Sequence, residues 1–263
     1  MEIGAQTYSV HERTQTLDGL ADALTQIAQI GYRSVQISGT CPYEPEWLRD
    51  HLQKNQLTCV LTHINPQRLA EDTENVVREH AIFGCKNIGI GALPQPMQGS
   101  LEGYEEFRRI YLPVALKLRD LGVKLHYHNH WFEFDKLEGK DLLQRILEDF
   151  PADSIDFTLD LGWADFAGAD VLQLIDTLKG RLSRVHLKDY ADKPEDGSIT
   201  TIAYLRPIFE GKLPYEIFIP ALKKAGCEYA LVEQDYSYGE DPFDCLRRSY
   251  QHIFDRFDEK DLL

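Results

Sequence analysis

The chain has 263 residues, of which 43% are apolar and 27% are charged, and its formal net charge is −15 at pH 7. That charge argues against proteins that bind nucleic-acid phosphates through clustered Lys and Arg. No apolar run approaches the length that spans a bilayer, and the sequence opens on a predicted strand instead of a signal-like leader. Five scattered cysteines without CxxC spacing predict reduced thiols in a cytoplasmic protein.

Strand and helix patterns alternate along the whole chain. The eight predicted strands are Ile3–Val10, Ser34–Gly39, Cys59–Ile64, Asn87–Ala92, Lys124–Trp131, Ile155–Leu161, Arg184–Asp189 and Ala230–Asp235. The eight predicted helices are Leu17–Ile30, Glu44–Gln56, Pro66–Phe83, Tyr104–Leu121, Lys140–Phe150, Val171–Leu178, Pro214–Lys224 and Phe243–Phe257. Strict alternation without a linker predicts an α/β fold, a (β/α)8 TIM barrel that forms a single domain over residues 1–263. The longest connection, Tyr190–Lys212, is expected to lie over the mouth of the barrel.

Polar residues occupy every second position in four of the predicted strands. In the fifth strand, for example, His126, His128 and His130 alternate with apolar or small polar residues. Successive side chains of a strand point to opposite faces, and active sites of such barrels lie at the C-terminal ends of the strands. The pattern therefore predicts a barrel with a polar mouth.

The side chains that this rule turns toward the mouth form a mixed set of oxygen and nitrogen donors. They are Gln6, Tyr8, Gln36, Ser38, His63, His128, His130, Asp160, His186, Lys188, Glu233 and Asp235, with Gly89 and Gly91 on the fourth strand and Glu133 just beyond the fifth. Such donors suit Mn²⁺, Mg²⁺, Co²⁺ or Zn²⁺. Strand parity leaves open whether Glu133, His128 or His130 is the ligand from the fifth strand.

A single inward His or Asp in a barrel is more often a hydrogen-bonded core residue than a ligand. This is the interpretation for His126, and Asp156 with Arg184 is expected to form a pair in the bottom layer. Four further histidines are expected in solvated positions, namely His11, His51, His80 and His252. One candidate ligand at the end of each of strands five to eight favours a metal site over this alternative.

Five ordered motifs resemble those of the sugar phosphate isomerase/epimerase family, within the xylose isomerase-like TIM barrel superfamily. These motifs are Tyr127–Phe134, Leu159–Trp163, Ala167–Asp170, Val185–Asp189 and Val232–Asp235, and the segments Gly4–Val10 and Val35–Gly39 fit the same family. The resemblance covers nearly the whole chain. Its motifs are specific for the superfamily and much less specific for a substrate.

The resemblance implies a divalent metal ion held by Glu133, Asp160, His186 and Glu233. It also implies proton transfer next to a carbonyl, with Glu133 and Glu233 as base and acid and Lys188 at the developing oxyanion. An ion pair of Lys188 with a neighbouring carboxylate is an equal alternative. The predicted substrate-binding residues are Gln6, Tyr8, His63, His128, His130 and Trp163.

The expected partner is an unphosphorylated sugar or keto-sugar. No glycine-rich phosphate cradle is present, and Glu240 and Asp241 beside Gly239 would repel a phosphate. Trp163 stands where endonuclease relatives place a further histidine, which argues against DNA repair. The alternatives to an isomerase or epimerase are a metal-dependent lyase acting on a keto-inositol or 3-keto-glycoside, and a non-catalytic sugar-binding barrel. A homo-oligomer is compatible with the sequence.

Overall fold

A closed ring of parallel strands forms the centre of the computed structural model, which describes residues 1–258 and 262. The barrel strands are β1 (Glu2–Gln6), β2 (Ser34–Ile37), β3 (Thr58–His63), β4 (Asn87–Ile90), β5 (Lys124–His128), β6 (Ile155–Asp160), β7 (Arg184–Leu187) and β10 (Tyr229–Val232). Strand β1 pairs with both β2 and β10, which closes the ring. The predicted (β/α)8 barrel is confirmed.

Helices flank this ring and bury its outer face. They are α1 (Leu17–Ile30), α2 (Pro45–Lys54), α3 (Pro66–Glu71), α4 (Thr73–Ile82), α5 (Leu101–Asp120), α6 (Leu142–Asp149), α7 (Leu161–Phe166), α8 (Val171–Thr177), α9 (Tyr215–Ala225) and α10 (Pro242–Phe254). Local signals fix where they begin, as at α6, where Asp141 and Gln144 form a capping box. Among the described residues, no helix is long and apolar enough to cross a membrane.

The first strand is shorter than predicted. It ends at Gln6, and residues Thr7–Arg13 form a 3-10 turn instead of continuing to Val10. The side-chain oxygen of Gln6 accepts a hydrogen bond from the backbone N–H of Tyr8 at 3.2 Å, which starts this turn. Tyr8 therefore lies beyond the strand, on the turn at the mouth.

The helix predicted over Pro66–Phe83 is in fact two helices. Asp72 leaves the helical region at φ −137° and ψ 43°, and it separates α3 from α4. The short helix α7, which follows β6, was not predicted. It is only 6 residues long, and the side chain of Asp160 caps its first turn.

The long connection after β7 contains a hairpin that was expected to be a loop. Strand β8 (Asp189–Ala191) pairs antiparallel with β9 (Tyr204–Arg206). Ile202, between the two strands, lines the cavity at the mouth. The segment therefore reaches the mouth as predicted, although part of it is regular structure.

His80 is buried, so the prediction of a solvated position was wrong. Its ring lies between α4 and β3, with Nε2 2.8 Å from the hydroxyl of Thr62 and Nδ1 2.7 Å from the carbonyl of Val76. Burial lowers the pKa of His80 to about 4, so the ring is neutral at pH 7. The helical face that carries His80 packs against the barrel, which the sequence pattern did not indicate.

The bottom layer of the barrel is polar and hydrogen-bonded. His126 is fully buried and its Nε2 lies 3.1 Å from the side-chain oxygen of Asn87, as expected for a core residue. The expected pair of Asp156 and Arg184 is instead bridged by Ser183, whose hydroxyl donates to Asp156 at 2.6 Å and accepts from Arg184 at 2.8 Å.

Candidate metal centre

Four buried side chains converge at the C-terminal end of the barrel. His128, Asp160, His186 and Glu233 each offer one ligand atom, and these atoms all lie within 4.8 Å of one another. The residues come from β5, β6, β7 and the end of β10, which are consecutive strands of the ring. Because neighbouring parallel strands end at the same edge, residues that are far apart in sequence meet here.

Hydrogen bonds fix the tautomers of the two imidazoles. Nδ1 of His128 lies 2.8 Å from the carbonyl oxygen of Gly91, which can only accept, so Nδ1 carries the proton. Burial lowers the pKa of His128, and the neutral ring therefore presents the lone pair of Nε2 to Asp160 Oδ2 at 3.4 Å. In His186, Nε2 lies 2.7 Å from the side-chain oxygen of Gln36, which leaves the Nδ1 lone pair facing the cluster.

Two of the cluster atoms lack a hydrogen-bond partner. Nδ1 of His186 and Oε2 of Glu233 are both buried and lie 2.8 Å apart, but without the geometry of a hydrogen bond. A lone pair and a carboxylate oxygen held this close repel each other, and the ammonium of Lys188, 3.1 Å from Oε2, offsets the charge of the oxygen but does not give Nδ1 a partner. This orphaned pair, with two nitrogen and two oxygen donors in all, fits a divalent metal ion.

Asp160 is oriented by its own neighbours. Its Oδ1 accepts a hydrogen bond from the backbone N–H of Trp163 at 2.8 Å, which caps α7, and its backbone N–H donates to the side chain of Asn129 at 3.0 Å. These contacts leave Oδ2 directed at the cluster. Burial acts to raise the pKa of Asp160, but the charge of Lys188 outweighs it and the pKa lies below the ordinary value.

Lys188 places a cation at the cluster. Its Nζ lies 3.1 Å from carboxylate oxygens of Asp160, Glu233 and Asp235, and 4.7 Å from the ring centre of Trp163. Burial acts to lower the pKa of Lys188, but the three carboxylates outweigh it and raise the pKa, so the ammonium stays charged. Lys188 also lines the cavity, so the structure shows the ion pair at a position that substrate can reach.

The structure does not bring Glu133 into this group. Its Oε1 accepts from the hydroxyl of Tyr127 at 2.9 Å, and its Oε2 accepts from the backbone N–H of His130 at 2.7 Å. Tyr127 packs edge-on against Phe107 of α5, so Glu133 is bonded on the helix side of the barrel wall. Glu133 is 2% exposed, and burial raises its pKa to about 7. From the fifth strand, it is His128 that offers a potential ligand atom to the cluster.

A cavity of about 1120 Å³ opens above the cluster. Five of the six predicted substrate-binding side chains line it, namely Tyr8, His63, His128, His130 and Trp163. The sixth, Gln6, is fully buried and is not part of the cavity wall. Its side-chain oxygen holds the turn that carries Tyr8, so its contact with substrate would be indirect.

Gly89 on β4 and Gly91 just beyond it make room for His63. A Cβ on Gly89 would lie 2.6 Å from Cδ2 of His63, and a Cβ on Gly91 would lie 3.0 Å from its Nδ1. The imidazole can therefore lie across β4, with its ring centre 5.2 Å from that of His128. Its Nε2 is buried and has no hydrogen-bond partner in the structure, so it is available to a ligand.

Three contributors to the site were given no specific function in the sequence analysis. Gln36 orients His186, and its inward parity on β2 was the available signal. Asn129 holds the backbone of Asp160, but its parity is opposite to that of the neighbouring histidines and gave no signal. Asp189 accepts hydrogen bonds from four backbone N–H groups, those of Tyr190, Phe209, Gly211 and Leu213. It holds the hairpin segment at the mouth.

Comparison with known proteins supports the same fold. A sugar phosphate isomerase/epimerase from Parabacteroides distasonis ATCC 8503 aligns with a TM-score of 0.79, at 17% identity, over 96% of this chain and 93% of that chain. An L-ribulose 3-epimerase gives a TM-score of 0.75 at 15% identity, over 99% and 94%. The probable 3-DHS dehydratase AsbF of Bacillus anthracis gives 0.73 at 14% identity, over 98% and 100%. At these identities the likeness shows the fold alone.

No curated protein matches the sequence significantly. The family model described as xylose isomerase-like TIM barrel matches residues 24–252, which is most of the chain. The resemblance inferred from the motifs is thereby confirmed, and this chain belongs to the xylose isomerase-like TIM barrel family.

Proposed function

We propose that this chain is a divalent-metal-dependent sugar isomerase or epimerase that transfers a proton at the carbon next to a carbonyl. The observation that carries the proposal is the convergence of two imidazole lone pairs and two carboxylates within 4.8 Å at the mouth of the barrel. The metal ligands in this proposal are His128, Asp160, His186 and Glu233. Glu133 is left out because its oxygens are not among the ligand atoms that converge here. A bound divalent ion would polarise a carbonyl and stabilise negative charge on its oxygen.

The chain's own residues supply the proton transfers. Glu233 and Asp235 both line the cavity, and burial raises the pKa of Asp235 to about 6, near the pH at which an acid–base group works best. Lys188, which stays charged, would donate a hydrogen bond to the substrate oxygen that gains negative charge. The unpartnered nitrogens of His63 and His130 would bind hydroxyl groups of the sugar.

One arrangement favours a second candidate, a metal-dependent lyase acting on a keto-inositol or 3-keto-glycoside. Near the cluster, the acidic groups that line the cavity, Glu233 and Asp235, both follow β10. The wall across the barrel carries His63 and His130, and burial lowers the pKa of both. Carboxylates on one side suffice to remove a proton and to protonate a leaving group on that side. An epimerase must also deliver a proton to the opposite face of the carbon.

Metal-dependent hydrogen exchange tests the proposal and separates the two candidates. The Mn²⁺-loaded protein is incubated in D₂O with keto-sugars, keto-inositols and 3-keto-glucosides, and mass and NMR spectra are followed. Deuterium uptake without other change in mass supports an isomerase or epimerase, whereas release of water or an aglycone supports the lyase. No exchange by a protein shown to hold its metal would contradict both and favour a sugar-binding barrel.

The variant Glu233→Gln provides a control for that experiment. It removes a ligand charge and a basic oxygen with almost no change in volume, so exchange should fall to the background while the circular dichroism spectrum stays unchanged. Exchange that persists in this variant would contradict the role assigned to Glu233.

A further inference from the structure

We propose that the cavity contains a second, apolar subsite for an uncharged aromatic group attached to the sugar, so that the substrate is an aryl glycoside with a ketone on its sugar ring, and not a free keto-sugar. The sugar end of this proposal rests on the function proposed above. The new part is an outer zone formed by the segments that follow β3 and β4 and by α5, consisting of Ile64, Ala70, Pro94, Pro96, Met97 and Ile110.

The size of the cavity is the first argument. Pockets for drug-sized ligands have volumes of roughly 300–1,000 Å³. This cavity of about 1120 Å³ is larger than that range, and a single sugar ring is smaller than a drug-sized ligand. A sugar bound at the metal centre would therefore leave the outer zone empty.

The second argument is that the glutamines of the outer zone donate hydrogen bonds within the protein and that the zone carries little charge. Its glutamines are already paired, because Gln98 donates to the carbonyl of Leu93 at 2.6 Å and Gln67 donates to Glu71 at 2.8 Å. Gln95 in turn donates to Gln98 at 3.3 Å. Apart from Glu71, no charged residue lines this zone in the part of the chain that the structure describes.

The inner end of the cavity has the opposite character. His63 Nε2 and His130 Nδ1 are buried without partners, and Lys188, Glu233 and Asp235 carry charge. Unsatisfied polar atoms at one end and apolar side chains at the other match a ligand with a polyhydroxy part and an apolar part.

Aromatic side chains also line the cavity. The ring of Trp163 lies over Lys188 Nζ at 4.7 Å, and Trp131 contacts Trp163 with ring centres 4.9 Å apart. Tyr111 of α5 also lines the cavity. Aromatic rings favour offset or edge contacts with other rings, so a planar aromatic group gains more here than an aliphatic chain of similar area.

Binding of two non-reactive glucosides tests the subsite. Neither phenyl β-D-glucopyranoside nor methyl β-D-glucopyranoside has the carbonyl that the reaction requires, so binding is measured without turnover. Isothermal titration calorimetry of the Mn²⁺-loaded protein should give a Kd for the phenyl glucoside that is about 10-fold or more below that for the methyl glucoside, because the ring buries apolar area.

Variants locate the preference in the outer zone. Ala70→Glu puts a charge into the outer zone and should abolish the preference for the phenyl glucoside without changing the Kd of the methyl glucoside. Ala81→Glu, on the exposed face of α4 and outside the cavity wall, is the matched control and should keep the preference. Met97→Gln is a milder second variant, and melting temperatures show that each protein is folded.

Equal affinities of the two glucosides for the wild-type protein would overturn the subsite, as would a preference that survives in both Ala70→Glu and Met97→Gln. The results would be different if the proposed function, and not the subsite, were wrong. In that case the phenyl preference would persist while the Mn²⁺-loaded protein exchanges no deuterium with any keto-sugar.

Discussion

The imidazole of His128 can present Nε2 to a metal because its Nδ1–H donates a hydrogen bond to the carbonyl of Gly91. His128→Ala removes this ligand and should weaken Mn²⁺ binding by about 100-fold or more, since loss of a mere supporting contact already costs about 10- to 100-fold. Glu133→Gln keeps the shape of the side chain and should leave the Kd for Mn²⁺ within a few-fold. Isothermal titration with Mn²⁺ measures both. Comparable losses in the two variants would return Glu133 to the ligand set.

Glu133 also predicts a pH dependence of stability. Its pKa is about 7 in the folded protein against 4.5 for an exposed carboxyl, so it stays protonated in the folded state while the unfolded chain ionises. Its contribution is fully present below pH 4.5 and is lost as the pH rises to about 7. The free energy of unfolding of the wild type relative to Glu133→Gln should therefore fall by about 3 kcal/mol over this window.

Urea denaturation of both proteins at several pH values measures this difference. Asp189 and Asp235, which also have raised pKa values, contribute equally to both proteins and cancel in the comparison. A difference that does not change with pH would show that Glu133 is ionised in the folded protein.

Strand parity turned all four cluster residues toward the mouth, but it left the ligand from the fifth strand open between Glu133, His128 and His130. Asp160, His186 and Glu233 lie on strands or at their ends, where alternation decides which way a side chain points. Glu133 lies in a 3-10 turn beyond β5, where alternation no longer applies. Its partner Tyr127 is six positions away and points to the other face of the wall, and this tertiary contact has no local signature.

At the level of elements, the hairpin after β7 depends on one carboxylate. Asp189 accepts four backbone hydrogen bonds, and Gly211 is required because a Cβ there would lie 2.1 Å from Asp189 Oδ1. Asp189→Ala leaves these N–H groups without a partner and should lower the free energy of unfolding by about 3 kcal/mol or more. Hydrogen exchange of the segment Asp189–Leu213 should accelerate most.

Asp192→Ala is the matched control for this prediction. Asp192 is 93% exposed and forms one ion pair, with Lys212 at 3.4 Å. Its replacement should change stability by less than about 1 kcal/mol, because exposed ion pairs contribute little. If both variants unfold alike, Asp189 does not hold the hairpin.

Regular elements were predictable where their hydrophobic period was long and uninterrupted. Helix α1 was predicted with its observed bounds, Leu17–Ile30. The break at Asp72 was not predicted, because the period continues across it, and the hairpin was not predicted because its strands are only 3 residues each. Such short strands are stabilised by the hydrogen bonds to Asp189 and by packing at the mouth. These are tertiary contacts, and a local sequence pattern does not reveal them.

For the whole molecule, the net charge of −15 makes a prediction about partners. Some relatives of this fold act on DNA, but a surface of this charge repels a phosphate backbone. Duplex DNA that contains an abasic site should therefore not shift in an electrophoretic mobility assay at about 150 mM salt. A retarded band that weakens as salt is raised would contradict the exclusion of nucleic acid.

If the cluster binds a divalent ion as proposed, the position of Lys188 affects how the protein would acquire that ion. Its ammonium lies against three carboxylates that would otherwise repel one another in the barrel. The chain thus brings its own counter-ion and can fold before any metal arrives, unlike small domains whose folding waits for the ion. A chelator should abolish the activity without unfolding the protein, and readdition of the metal should restore the activity. In a cell, the supply of metal would then set the active fraction of the protein. The remaining protein would be folded, free of metal and able to bind it.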